Sequence, residues 1–187
     1  MDFETSDLVQ DMILFHCPRS SELPHLDLYM DQVISFISET LNCCYLDADD
    51  KILTPAMINN YVKQGIVSPS KNKKYTTHHL MYLIVVCVFK KMLSIPEICA
   101  LIRIQIQTYP IEVAYDYFCV ELENALRNTF LQKEALMPVV ATKETDQTRL
   151  LRSTVLAFAN KLYIQKFIQY HEQYIITKKN ECLPCLR

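Results

Sequence analysis

Glycine is almost absent from this chain: its 187 residues include only one, Gly65. β-Sandwiches and barrels usually need glycine at their tight turns, whereas helices tolerate it poorly. Half of the residues are hydrophobic, which is enough apolar surface to bury a core. The sequence therefore predicts an all-α fold, with which a small two-stranded wing is compatible.

The amino-terminal residues and the cysteines indicate where the protein acts. Acids at positions 2, 4, 7 and 11 occupy the place where a secretory signal needs positive charge and an apolar run. The longest nearly unbroken apolar run, Leu80 to Phe89, is far shorter than the roughly 18 residues of a membrane span. We expect a cytoplasmic protein with no membrane partner, whose eight cysteines are reduced and mostly buried.

Charge is divided unevenly along the chain. Residues 1–50 hold eleven acids and one base, whereas residues 51–91 hold seven lysines and no acid. Residues 92–187 are nearly balanced, with eleven bases and ten acids. The net charge of −2 therefore conceals a local cationic surface.

Apolar spacing and capping residues predict the helices. The first stripe is Leu26, Met30, Val33, Ile37 and Leu41, at the spacing of one helix face. Thr54 and Pro55 form a typical helix start and Gly65 a typical stop, which predicts a second helix over Pro55–Gln64, with Ile66 folding back as the apolar partner of the cap. The remaining predictions are a short helix within residues 1–24, a basic hairpin or loop over 66–75, a buried helix capped by Thr76 or Thr77, a helix from the capping box at Ser94, and long helices over 111–136 and 147–178.

The order of these elements resembles a known DNA-binding fold. The segment from Thr54 to Ile102 is "TPAMINNYVKQGIVSPSKNKKYTTHHLMYLIVVCVFKKMLSIPEICALI". It resembles the winged helix-turn-helix of MerR-type proteins: a recognition helix, Gly, an apolar pair and Pro, a basic wing ending in Tyr, an apolar helix and a further helix start. Together with "LDLYMDQV" it is also similar to an uncharacterised bacterial family, a domain of unknown function. The resemblance covers residues 24–106.

The resemblance implies a function and a division of the chain. Residues 1–23 would be an extension, 24–106 the winged helix-turn-helix, and 107–187 a helical region for dimerisation or an effector. The protein would be a homodimeric transcriptional regulator that binds double-stranded DNA and responds to a small-molecule effector of unknown kind. No cofactor is implied.

The DNA contacts would come from the recognition helix and the wing, Ser68–Tyr75. Asparagine can pair with the adenine edge in the major groove, while lysine and the tyrosine hydroxyl can hold phosphates. The candidate DNA-binding residues are Asn59, Asn60, Tyr61, Lys63, Lys71, Lys73, Lys74, Tyr75 and His78.

Other interpretations remain open on the sequence. The lysines, Asn59 and Asn60 are compatible with an ordinary solvated surface, and His78 and His79 with polar residues at a helix start. The acidic first fifty residues could cover the lysines or meet a basic partner, which would suit a protein-interaction module that keeps the winged fold without binding DNA. Cys182 and Cys185 have the spacing of a thiol or metal sensor, although no second such pair completes a zinc site.

Catalysis finds no support in the sequence. One glycine cannot make a phosphate-binding loop, and there is neither a nucleophile motif nor a paired set of carboxylates on an apolar helix face. We therefore expect neither catalytic nor metal-binding residues.

Overall fold

The structure, a computed structural model, is mostly helical. It describes residues 2–46, 51–131 and 144–182, with side chains up to residue 173. Short 3-10 turns lie at Phe3–Thr5 and Asn42–Cys44, and two short strands, β1 (Leu28–Tyr29) and β2 (Lys74–Tyr75), form an antiparallel pair. The described helices are α1 (Asp7–Ile13), α2 (Met30–Leu41), α3 (Pro55–Lys63), α4 (Thr77–Phe89), α5 (Ile95–Ile106), α6 (Ile111–Phe130) and α7 (Asp146–Cys182). The prediction of an all-α fold with a small two-stranded sheet is confirmed.

Helix α3 begins at Pro55, as the sequence predicts, and ends at Lys63, one residue before the predicted end. The Thr54 hydroxyl accepts a hydrogen bond from the amide of Met57 at 3.2 Å, which caps the first turn. At the other end Gly65 has a φ of 71°, its amide donates to the Val62 carbonyl, and the Ile66 amide donates to the Tyr61 carbonyl. Ile66 is buried after this turn, so glycine and the apolar residue after it complete a Schellman cap.

Helix α2 is shorter than its apolar stripe predicts. Val33, Ile37 and Leu41 are fully buried, but the helix begins at Met30. Leu26 lies outside it and is 81 % exposed, so its assignment to the stripe is wrong. The chain before Met30 is extended because Leu28 and Tyr29 pair with β2.

One continuous hydrophobic cluster joins all three predicted regions of the chain. Its members come from the amino-terminal arm, from the central helices and from α6 and α7, which pack along each other. Helix α4 is apolar almost all round after its first turn, and eight of its residues are buried in this cluster, as its sequence predicts. The division of the chain into residues 1–23, 24–106 and 107–187 remains a prediction from the sequence.

The described thiols and helices agree with the expectations for the core. The six cysteines whose side chains the structure describes are free, and four of them are buried. Among the described residues, no helix combines the length and the apolar character needed to cross a membrane.

Candidate nucleic-acid interface

Helix α3 has one buried side and one exposed side. Ile58 and Tyr61, three residues apart, point into the core because residues at this spacing share a helix face. Asn59, Asn60 and Lys63 are exposed on the other side. The described helix therefore presents amide and ammonium groups to solvent, as its sequence predicts.

Two tyrosines on the list of candidate DNA-binding residues lie in the core instead. Tyr61 is 4 % exposed and Tyr75 is 3 % exposed. Burial raises the pKa of Tyr61 to about 12, because the phenolate would lose its hydration. Tyr61 of α3 and Tyr75 of the wing therefore belong to the core, and neither is among the proposed DNA contacts.

The tip of the wing is a two-residue turn in an uncommon conformation. The amides of Lys71 and Lys74 each donate to the other residue's carbonyl, at 3.2 and 3.0 Å. Between them Asn72 and Lys73 have φ values of 53° and 62°. Two positive φ angles are characteristic of a type I′ turn, in which asparagine followed by glycine is preferred. Lysine at position 73 therefore occupies a backbone position better suited to glycine.

The outer strand of the wing pairs with a segment far away in sequence. Leu28 lies opposite Tyr75, and Tyr29 lies opposite Lys74. The Lys74 ammonium lies 5.3 Å from the centre of the Tyr29 ring, a cation–π distance. Lys74 is thus partly engaged within the protein, whereas Lys71 and Lys73 are exposed.

His79 holds the base of the wing. Its Nδ1 accepts from the backbone amide of Thr76 at 3.0 Å, which leaves Nε2 to carry the proton of the neutral ring. Nε2 lies 3.1 Å from the Ser68 hydroxyl and 3.2 Å from the Ser68 carbonyl, and the ring meets Tyr75 edge-on at 5.4 Å. The reading of His79 as a residue at a helix start is correct, and the structure adds the contacts to the wing.

His78 has a different environment from the lysines. Its Nε2 lies 2.8 Å from a carboxylate oxygen of Glu112 on α6, and both side chains are half exposed. The hydrogen bond from His78 lowers the pKa of Glu112. A phosphate would have to compete with this carboxylate, so His78 is the weakest of the exposed candidates.

The acidic amino-terminal arm does not pair with the exposed lysines. Helix α1 packs against α6 and α7, and within the described part of the chain no ion pair joins Lys63, Lys71 or Lys73 to an acid. The acids at positions 47, 49 and 50 lie outside the described residues.

The interpretation of Cys182 and Cys185 as a thiol or metal sensor gains no support from the described residues. No cluster of three or more metal-ligating side chains occurs in the parts of the chain that the structure describes. Cys182 is the last residue of α7, and Cys185 lies outside the described residues.

A comparison with known protein families finds a match that spans most of the elements described above. A family model described as a domain of unknown function (DUF1836) matches residues 18–118. The chain belongs to the DUF1836 family. The DUF1836 match includes both strands, α2 to α5 and the first turns of α6, and it confirms the predicted likeness to a domain of unknown function. No curated protein and no solved structure matches the chain.

Proposed function

We propose that this protein is a DNA-binding transcriptional regulator with a MerR-like winged helix-turn-helix. Helix α3 is the recognition helix and residues 68–75 are the wing. The proposed contacts are Asn59 and Asn60 for bases, and Lys63, Lys71 and Lys73 for phosphates. Lys74 contributes more weakly, since it already lies over Tyr29.

The observation that carries the proposal is the backbone at Lys73. A residue other than glycine at positive φ costs about 1 kcal/mol, and asparagine before it would make glycine the favoured choice. The cost falls at the exposed tip of the wing, where Lys73 makes no ion pair with a described residue. An exposed ammonium group that is kept despite this backbone strain suits a role in binding an anion such as a phosphate.

The surroundings of α3 and the wing favour an electrostatic interface. Residues 51–91 contain no acid, so no carboxylate of this segment cancels the field of its lysines. His79 and β1 attach the wing to α4 and to the start of α2. A wing anchored at both its base and its outer strand can present its lysines in a constant position, which lowers the ordering cost of binding.

We further propose that two copies act together. Helix-turn-helix proteins commonly read paired half-sites as two-fold dimers, and the helical region after residue 106 would supply the contact between copies. The competing function is an interaction module with the same fold and no DNA affinity.

The substitution Lys73→Gly tests the DNA-binding proposal, because it should weaken DNA binding without destabilising the protein. It relieves the positive φ and should raise the free energy of unfolding by about 1 kcal/mol, while removing one phosphate contact. Binding to random-sequence duplex DNA, followed by fluorescence anisotropy from 50 to 300 mM salt, should weaken. The slope of log K against log salt should fall by about 0.9.

The control is Arg149→Gln, which removes one exposed charge from α7. It should leave both DNA affinity and salt dependence unchanged. If the wild-type protein shows no affinity for duplex DNA at 50 mM salt, the regulator proposal is wrong and the interaction module stands. If Lys73→Gly binds DNA as well as the wild type, the wing is not the contact surface.

A further inference from the structure

Two adjacent cysteines, Cys43 and Cys44, lie in the 3-10 turn that follows α2. Cys43 is partly exposed, whereas Cys44 is 1 % exposed. Their side chains hydrogen-bond to each other, so the thiol of one residue can donate its proton to the sulfur of the other. The pair therefore places an accessible sulfur directly beside a buried S–H group.

The backbone of this turn and of the residue after it binds two ammonium groups. The Lys91 ammonium, just after α4, donates to the Cys44 carbonyl at 3.3 Å. The Lys166 ammonium, from α7, donates to the Tyr45 carbonyl, also at 3.3 Å. Two cations from elements distant in sequence are thus fixed beside the two thiols.

The Lys166 ammonium has few partners for a buried group. Its side chain is 4 % exposed, and among the described residues it bonds only to the Tyr45 carbonyl and forms no ion pair with a carboxylate. A buried cation is costly unless a negative charge compensates it. Burial lowers the pKa of Lys166, and the neighbouring thiols Cys43 and Cys44 counteract this effect. An ionised thiol would supply the compensating charge.

Cys43 is the thiol of the pair that ionises. The hydrogen bond from Cys44 lowers the pKa of Cys43 and the Lys166 ammonium lowers it further, whereas burial and Asp11 of α1 oppose them. The hydrogen bond to Cys43 and complete burial raise the pKa of Cys44, which therefore keeps its proton. A thiolate that solvent can reach, beside a cation, is the reactive form of cysteine.

We propose that Cys43 is a modification site, a reactive thiolate that small hydroperoxides oxidise. The sulfur attacks one oxygen of the peroxide, and an S–O bond forms as the O–O bond breaks. The second oxygen leaves as hydroxide and takes a proton from solvent. Sulfur has then given two electrons to the peroxide, and Cys43 is a sulfenic acid. The partial cover over Cys43 suits a reagent as small as hydrogen peroxide, and the site does not depend on the DNA proposal.

Trapping of sulfenic acid in the full chain tests the site. The protein is treated with hydrogen peroxide and dimedone, which captures sulfenic acids, and peptide mass spectrometry reports the label at each cysteine. Cys43 should be labelled about threefold faster or more than Cys99, a partly exposed cysteine of α5. The two rates should become equal in denaturant, and Cys43→Ser should leave the labelling of Cys99 unchanged.

Substitutions around Cys43 test why it reacts, through its rate of alkylation by iodoacetamide as a function of pH. Cys44→Ala removes the S–H donor and should slow Cys43 about threefold near neutral pH, whereas Cys44→Ser keeps a donor and should preserve the rate. Lys166→Met should also slow it, and Asp11→Asn should speed it, because they remove charges of opposite sign. Arg149→Gln, which removes an exposed charge elsewhere on α7, should change nothing.

Three results would overturn the proposal. They are labelling of Cys43 no faster than that of Cys99, a preference for Cys43 that persists in denaturant, or an alkylation rate that Asp11→Asn and Cys44→Ala both leave unchanged. Asp11 is exposed, so its variant tests the electrostatic account however the core accepts Lys166→Met. Since no DNA is present, failure here would leave the proposed regulator function untouched, and failure of DNA binding would leave the thiol site untouched.

Discussion

Among the described residues, positive φ occurs at Gly65, Asn72 and Lys73, and glycine occupies only the first of these positions. Gly65 ends α3, whereas Lys73 forms the wing tip. The role of Gly65 was predictable from sequence, as were the caps at Thr54 and Ser94, because each depends on neighbours within a few positions. The roles of Tyr61 and His79 were not fully predictable, since they depend on which side of α3 meets the core and on where Ser68 lies after folding.

Gly65→Ala should destabilise the protein by about 1 kcal/mol through backbone strain alone. A Cβ built on Gly65 meets no atom within 4 Å, so crowding contributes nothing. Urea unfolding followed by circular dichroism would measure the loss. Gly65→Asn should cost less, because asparagine adopts positive φ more readily. Equal stability of the wild type and Gly65→Ala would contradict this account of the cap.

The amino-terminal arm is attached to α6 as a distinct structural element. Arg19 donates two hydrogen bonds to the Glu123 carboxylate, at 2.7 and 2.8 Å, and the Cys17 amide donates to the same carboxylate at 2.9 Å. Ser20 binds Asp116 through both its amide and its hydroxyl, at 2.6 and 2.8 Å. These pairs are about 100 positions apart in sequence, so no local pattern could predict them. The same limit explains why β1 was missed.

Glu123→Gln should lower the free energy of unfolding by about 2 kcal/mol at neutral pH, since charged hydrogen bonds are lost at a nearly buried carboxylate. Burial alone would raise the pKa of Glu123, but hydrogen bonds from Arg19 and the Cys17 amide outweigh burial and lower the pKa. A lowered pKa in the folded state means that this contribution is present above the usual glutamate pKa and is lost as pH falls.

The difference between the wild type and Glu123→Gln should therefore shrink as pH decreases from about 5 to 3. Urea unfolding at each pH value would measure it. The control is Glu172→Gln, an exposed position on α7. If the difference in unfolding free energy does not change with pH, Glu123 stabilises the fold through its packing rather than through its charge.

At the scale of the whole molecule, one core contains several ionisable groups in their neutral forms. Burial raises the pKa of Tyr61 and of Tyr117 to about 12, and that of the Cys87 thiol to about 12. The fold class and the helix order were predictable because glycine scarcity and apolar spacing are properties of the whole chain. The burial of individual tyrosines was not predictable, because it depends on packing between helices that are distant in sequence.

The protein should lose stability as pH rises from about 10 to 12. A raised pKa in the folded state means that the unfolded chain loses its phenol protons first, near pH 10, so alkali favours unfolding. Unfolding free energies across this range, with tyrosinate absorbance at 295 nm, would test the expectation. Tyr61→Phe should flatten the pH dependence, while Tyr29→Phe, at a half-exposed position, should not. Stability that stays constant up to pH 12 would refute it.

The pairing of β1 with β2 has a consequence for how the proposed interface assembles. Tyr75 ends the wing, yet its strand partner, Leu28, precedes α2. During synthesis Leu28 leaves the ribosome first and has no partner until the wing has been made, so this contact closes a long loop. The wing can reach its final shape only after α2, α3 and the chain between them have come together. A DNA-binding surface built in this way would be present only on molecules whose amino-terminal half has already folded.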